Sequence, residues 1–347
     1  MKSKSDMALT KKQKSILKLI IRVLVTTVLL VWVFTKIDLK QFWQVIRNAS
    51  WLYLIAVWGL TVVLFWVRSI RMKLMLKKLD CDVSVATIFG ASAVTCLYSL
   101  VIPGILSTGA KWLILKKGTG KGTNVFSSMV YNQLSTMLVL LIFGLGALAI
   151  TNPSTLVLSD SKSHYLLPIV CVVLLVVVLL VSILLLNGRT GSKIITSFGY
   201  LLKPLPEKIR QKGLLTLDQI AFFTTVGTRF HLIIAAHIII TGVGGGVATY
   251  ILAARCANIT TIPTSAFIWL WALIFILGRI PISIANLGVR EATLMGLLSI
   301  YGVEKSQALL LSMVLFSSIV FIAGIGLIYQ FSLPSFFPDH KVTNLKV

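Results

Sequence analysis

Residues 279–292 read RIPISIANLGVREA, and they set Arg279, Arg290 and Glu291, with a proline and a glycine, inside an apolar run. No Asp, Glu, Lys or Arg occurs from Cys256 to Gly278, and the next charges after Glu291 are Glu304 and Lys305. Pro281 removes a backbone donor and Gly288 relaxes helix geometry, so a helix entering this stretch is expected to break and restart. Charges at such a break make it the feature around which the fold must be read.

The rest of the chain supplies the setting. Of its 347 residues 57% are hydrophobic and 12% charged, with mean hydropathy +0.94, whereas a soluble domain carries roughly twice that charged fraction. Val23–Thr35, Asn48–Val67, Gly122–Ser159, Ser163–Gly188, Phe230–Ala254 and Ser306–Pro338 hold no Asp, Glu, Lys or Arg. Runs of about 20 apolar residues match the hydrocarbon core of a bilayer. The fold class is therefore an all-α polytopic membrane protein. Six spanning helices are expected, at about 17–35, 49–68, 124–150, 165–186, 230–254 and 306–330. The first follows a basic segment but no small-x-small cleavage pattern, and is read as a retained helix rather than a leader.

Two apolar regions remain, and both are broken. Ala86–Ile102 is interrupted at Pro103-Gly104 and followed by the short piece Leu106–Leu115, while Ser265–Gly278 is interrupted by residues 279–288 and followed by Val289–Ile300. The second piece of each is too short to cross about 30 Å of hydrocarbon as a helix. Each region is expected to form a re-entrant hairpin. The motifs correspond: Pro103, Gly109 and Lys111 in IPGILSTGAK, and Pro281, Gly288 and Arg290 in IPISIANLGVR. The breaks are assigned to Pro103, Gly109, Pro281 and Gly288.

The net charge of +23 follows the positive-inside pattern instead of pointing to nucleic acid. With the N-terminus cytoplasmic, 23 Lys/Arg fall in inward segments, among them Arg68–Lys78, Lys116–Lys121 and Arg189–Arg229, and six face outward. An inner hairpin at 86–115 keeps Lys111, Lys116 and Lys117 off the outer face. The expected topology makes residues 1–150 one membrane repeat and 151–347 a second of inverted orientation. A cytoplasmic linker at 189–229 contains Leu214, Leu215, Leu217, Ile220, Phe222 and Phe223 beside basic residues. It reads as an interfacial amphipathic segment or as a solvated elbow. Localisation is expected at the plasma membrane with both termini cytoplasmic. Its basic inner rim should attract anionic headgroups.

Inverted repeats place their site at the repeat interface, on broken helices. Unwound backbone between Pro281 and Gly288 must be buried in protein or line a wet cavity. Ser283 and Asn286 can add hydrogen bonds, and the helix restarting near Gly288 presents free N–H groups and partial positive charge. With Arg290 in its first turn, that is an anion site of phosphate size. Lys111 is its weaker counterpart in the other half. Glu291 points about 100° away from Arg290 on a helix and is expected to pair with Arg279 across the break, not to neutralise its neighbour. The bland alternative is a purely structural ion pair pinning a strained turn.

Other features carry less. Cys81, Cys96, Cys171 and Cys256 are scattered without metal spacing and read as small buried residues. His231 and His237 share a helix with nothing to complete a metal set, which favours packing or a buried hydrogen bond. Gly242, Gly244, Gly245 and Gly246 include a GxxxG spacing that suits close helix contact. Trp32, Trp43, Trp51, Trp58, Trp66 and Tyr53 read as membrane-belt residues. No metal or cofactor site and no catalytic constellation is expected.

PISIANLGVREATLMGLLSIYGV, with Gln307-Ala308-Leu309 after it, resembles the signature of the lysylphosphatidylglycerol synthase transmembrane region, a flippase-like family of integral membrane proteins. That signature usually reads Pro-hydrophobic-Gly-x-Gly-x-Arg-Glu-Ala. Asn286 stands where many members carry Gly, and Lys111 where many carry Arg. Two-domain members add a soluble aminoacyl-transferase domain, which this sequence does not contain. The resemblance implies binding or translocation of an anionic lipid, either a phospholipid or a polyprenyl-phosphate-linked lipid. Two alternatives remain open: a membrane-embedded headgroup transferase with Glu291 as general base, and a non-catalytic partner of a lipid-modifying synthase or glycosyltransferase. The expected partner is an anionic membrane lipid, with no nucleic acid; a lipid-modifying enzyme or a second copy of the chain is compatible with the sequence.

Overall fold

A computed structural model describes residues 39–100, 104–157, 164–204, 206–278 and 287–336. The described residues are helical with no strand among them. Their helices are α1 (Leu39–Arg47), α2 (Trp51–Lys78), α3 (Val85–Ser99), α4 (Gly104–Thr119), α5 (Gly122–Thr151), α6 (Leu166–Leu186), α7 (Gly188–Ser197), α8 (Glu207–Thr225), α9 (Thr228–Cys256), α10 (Thr264–Leu277), α11 (Val289–Ser299) and α12 (Lys305–Phe336). Five of them, α2, α5, α6, α9 and α12, are long and apolar enough to cross a membrane, and α3 and α10 are shorter apolar helices. The chain is a multi-pass membrane protein. The first expected span, 17–35, lies outside the described residues.

Element boundaries follow local chemistry. The expected second span stopped at the first arginine, yet α2 continues ten residues further, to Lys78. Arg, Lys, Leu and Met are all good helix formers, so polarity ends the lipid-facing stretch without ending the helix. The left-handed Asp80 turns the chain after it. Gly109, assigned above as a break, lies inside α4. A single glycine costs only about 1 kcal/mol in a helix, and Ala110-Lys111-Trp112-Leu113 carries the helix on. Pro103, the other assigned break of that region, is outside the described residues. Gly288 does break the chain, as the N-cap of α11 with φ +82°.

Packing pairs the two halves of the chain. Helix α3 lies along α12, α10 lies along α5, and α2 packs on α9. One core cluster, Met72, Leu76, Ile88, Leu115 and Val125, lies within α2–α5. A larger one, with Tyr250, Phe267, Leu270, Leu294 and Leu311 of α9–α12, also takes in Val57 of α2 and Ala147 of α5. Small residues allow the close approaches. A methyl group on Gly326 would lie 2.3 Å from the Ala93 carbonyl oxygen, and one on Gly246 would meet the Trp271 ring at the same distance. The glycine run in α9 thus serves close helix contact, as its spacing indicated. Helix α6 packs along α5, but only Cys171 on it is buried, and its Val/Leu surface faces outward, as suits lipid.

Trp58 departs from the belt reading. Its indole donates to Ser317 Oγ at 2.9 Å and stacks on Phe321 with ring centroids 5.0 Å apart, so it ties α2 to α12. Trp43, Trp51 and Trp66 are exposed. Pro204 and Pro206 do interrupt the linker, between a short 3-10 turn (Phe198–Leu202) and α8. Leu214, Leu215 and Phe222 of α8 are exposed, whereas Ile220 and Phe223 face inward. His231 makes the buried hydrogen bond foreseen for it, to Tyr131 Oη at 2.7 Å.

Candidate functional site

The two charged places marked in the sequence have different environments. At the start of α11, Arg290 and Glu291 are buried, 7% and 3% exposed. They form an ion pair with each other, which corrects the expectation that Glu291 leaves its neighbour alone. The 100° offset describes where Cβ atoms point, but both side chains are long enough to curl back past the helix start. Glu291 Oε2 accepts the Gly288 N–H at 2.7 Å, satisfying one of the donors that a helix N-terminus exposes. Ser312 of α12 completes the cluster. Its hydroxyl accepts from Arg290 Nε at 2.7 Å and donates to Glu291 Oε1 at 2.9 Å. One turn further along α12, the Phe316 ring lies 5.4 Å from the guanidinium carbon.

The helix start expected to greet a phosphate therefore already holds the chain's own carboxylate. Arg279, Pro281, Ser283 and Asn286 lie outside the described residues, as does the expected Arg279–Glu291 pair.

Lys111 opens onto something else. A cavity of about 650 Å³ lies between α2, α3, α4 and α5 of the first half and α9 and α10 of the second. Arg68, Arg71 and Lys111 line it, with Ser92, Thr95, Asn132, Gln133 and Thr136, and no Asp or Glu occurs among its described lining residues. Bare backbone at Gly109 and Gly242 widens it. Its size is in the range of small-molecule sites.

The polar groups of this cavity are unevenly satisfied. Arg71 is 4% exposed, and its one hydrogen bond among the described residues is a long one, 3.4 Å from Nη2 to Thr136 Oγ1. Its Nε and Nη1 have no partner among the described residues. Asn132 Oδ1, Gln133 Nε2 and Trp271 Nε1 are likewise buried and unpartnered. Lys111 has no ion-pair partner among the described residues, and it lines the same cavity as Arg71. Arg68 is anchored differently. Its Nη2 donates at 3.1 Å to the carbonyl of Thr241, inside a π-turn of α9 (Ile239–Gly244). Such turns shift the i→i−4 ladder and recur at functional sites.

Buried polar groups almost always have partners, so this cluster around two cations is the candidate site. What these groups can do is hold an anion: most are donors, and none carries negative charge. Sequence reasoning reached Lys111 but missed Arg68 and Arg71, absorbed there into the basic inner rim. A signal existed. They are the only arginines in RSIRMKLMLKK, and their i, i+3 spacing puts both on one helix face. Cys96, read as a plain buried thiol, also lines the cavity.

No curated protein and no solved structure matches the chain. A family model described as the lysylphosphatidylglycerol synthase TM region matches residues 19–327. The match runs through both halves, the cavity and the Arg290–Glu291 cluster, and the chain belongs to that family of membrane proteins.

Proposed function

We propose that this protein takes an anionic lipid by its headgroup into the Arg71–Lys111 cavity and moves it across the membrane. The observation that carries this reading is a buried arginine with two nitrogens unpartnered among the described residues, lining together with Lys111 a cavity whose described walls hold no Asp or Glu. A phosphate-bearing headgroup supplies what these groups lack. Arginine grips phosphate with two parallel bonds and lysine adds a mobile point charge. The acyl chains would stay in lipid while the headgroup crosses between helices.

In this reading, residues 1–150 and 151–347 are inverted repeats. The series α2–α5 and α9–α12 each run long, short, short, long. The pairing of α3 with α12 and of α10 with α5 is what exchange of two like halves would produce. The broken regions are re-entrant, with the cavity on the first and the Arg290–Glu291 pair locking the second. Both termini and Lys116–Lys121 face the cytoplasm of the plasma membrane. A cysteine placed at Lys117 should resist a membrane-impermeant thiol reagent added to whole cells. Labelling there from outside would remove the inner hairpin and the inverted repeat with it.

The function is tested in vesicles with a fluorescent phosphatidic acid in both leaflets and a quencher outside. Purified protein should make the inner-leaflet signal accessible, and Lys111→Gln or Arg71→Gln should each slow that access roughly tenfold, the worth of one charge-assisted hydrogen bond. Rates equal to those of empty vesicles, or variants as fast as the parent protein, would sink the proposal. A chemically altered headgroup recovered from the vesicles would turn it into a transferase.

A further inference from the structure

We infer that the headgroup this cavity takes ends in a phosphate monoester or diphosphate with at least two negative charges, not in a monoanionic diester or an aminoacylated group. The inference rests on the proposal above that the cavity receives a lipid headgroup, and it deepens that reading from the charge and donor balance of the walls. Arg71 and Lys111 line the same space, and Arg68 adds a third cation to the lining. One negative charge leaves that set strongly positive. Two or more bring it towards neutrality.

The orphaned groups give an independent count. Arg71 Nε, Arg71 Nη1, Gln133 Nε2 and Trp271 Nε1 are donors, against the single acceptor Asn132 Oδ1. A terminal phosphate offers three oxygens that only accept, whereas a diester has two non-bridging oxygens and spends its third position on a further substituent. A lysyl headgroup fits worst. Its ammonium groups would bring more donors and more positive charge to walls whose described residues include no carboxylate. The family's name mentions an aminoacylated lipid; these walls repel one.

The experiment uses the full chain in detergent and reads the shift in its melting temperature against ligand concentration, since a ligand that binds the folded state stabilises it by mass action. Four probes are compared: dioctanoyl phosphatidic acid, dioctanoyl phosphatidylmethanol, dioctanoyl lysyl-phosphatidylglycerol and inorganic phosphate. The first two differ by one methyl group on one phosphate oxygen. Phosphatidic acid should act at roughly tenfold lower concentration than phosphatidylmethanol, and lysyl-phosphatidylglycerol should give no shift. Lys111→Gln, a change at a partly exposed position, should erase the preference without lowering the melting temperature of the ligand-free protein.

Equal potency of phosphatidic acid and phosphatidylmethanol, both weakened in Lys111→Gln, would overturn the charge count and leave the lipid reading standing. Tightest binding of lysyl-phosphatidylglycerol would overturn the count as well. Inorganic phosphate acting at the same concentration as phosphatidic acid would make the ligand a soluble anion. If no probe shifts the melting temperature, both the count and the function proposed above fall.

Discussion

Arg71→Met should make the ligand-free protein more stable, by about 1–4 kcal/mol, while abolishing its response to an anionic lipid. The sign is opposite to that of most changes at a buried position, and the reason is specific. Arg71 is 4% exposed, yet it holds one 3.4 Å hydrogen bond and leaves Nε and Nη1 unpartnered. Removing a guanidinium from water costs several kcal/mol, and no carboxylate among the described residues returns any of it. Methionine keeps much of the apolar stem volume, so its packing against α5 persists. Arg71→Lys should separate charge from fork: it keeps the buried cation and gains little stability, but loses the two-bond grip on phosphate. Thermal unfolding of the three proteins, with and without dioctanoyl phosphatidic acid, measures both effects. If Arg71→Met instead melts several degrees below the parent protein, Arg71 is a strut of the fold and the cavity loses its best claim to a ligand.

That trade of stability for binding explains how much of this molecule could be read from its sequence. Membrane spans are written locally, in the length of uncharged runs, and five of the six expected have counterparts among the described helices. Breaks were legible where the residue forbids helix continuation, as at Gly288 with its φ of +82°, but not at Gly109, where neighbours outvote one glycine. The cavity was hardly legible, because six helices from both halves make it. Arg68 reaches a carbonyl 173 positions away and Arg71 a hydroxyl 65 positions away. In sequence, both arginines look like any other basic residues at the end of a span. Only three-dimensional burial distinguishes a charge that holds topology from one that lacks a partner. The hairpin charges pose the converse problem. They were conspicuous in sequence, and the structure gives Arg290 and Glu291 the closed set of partners that Arg71 lacks.

The largest loss of stability is expected for Glu291→Gln, on the order of 3–5 kcal/mol. Glutamine keeps an oxygen that can still accept the Gly288 N–H, so the helix cap survives. What disappears is the charge opposite Arg290, which is 7% exposed and otherwise held by the neutral hydroxyl of Ser312. The guanidinium then remains buried beside Phe316 with no counter-charge. Ser312→Ala should cost less, about 1 kcal/mol, because the ion pair itself stays intact. The double change Arg290→Gln with Glu291→Gln removes both charges and should recover much of what the Glu291 variant lost, a positive coupling of the kind that residues in contact show. Arg279 provides the discriminating comparison. If Glu291 served the pair across the break that its sequence position first suggests, Arg279→Gln would be the change that rescues Glu291→Gln, and Arg290→Gln would not. Recovery with Arg290 alone places the lock of the second hairpin at the start of α11. Recovery with neither means that Glu291 acts outside any pair, free for a direct role with lipid or protons.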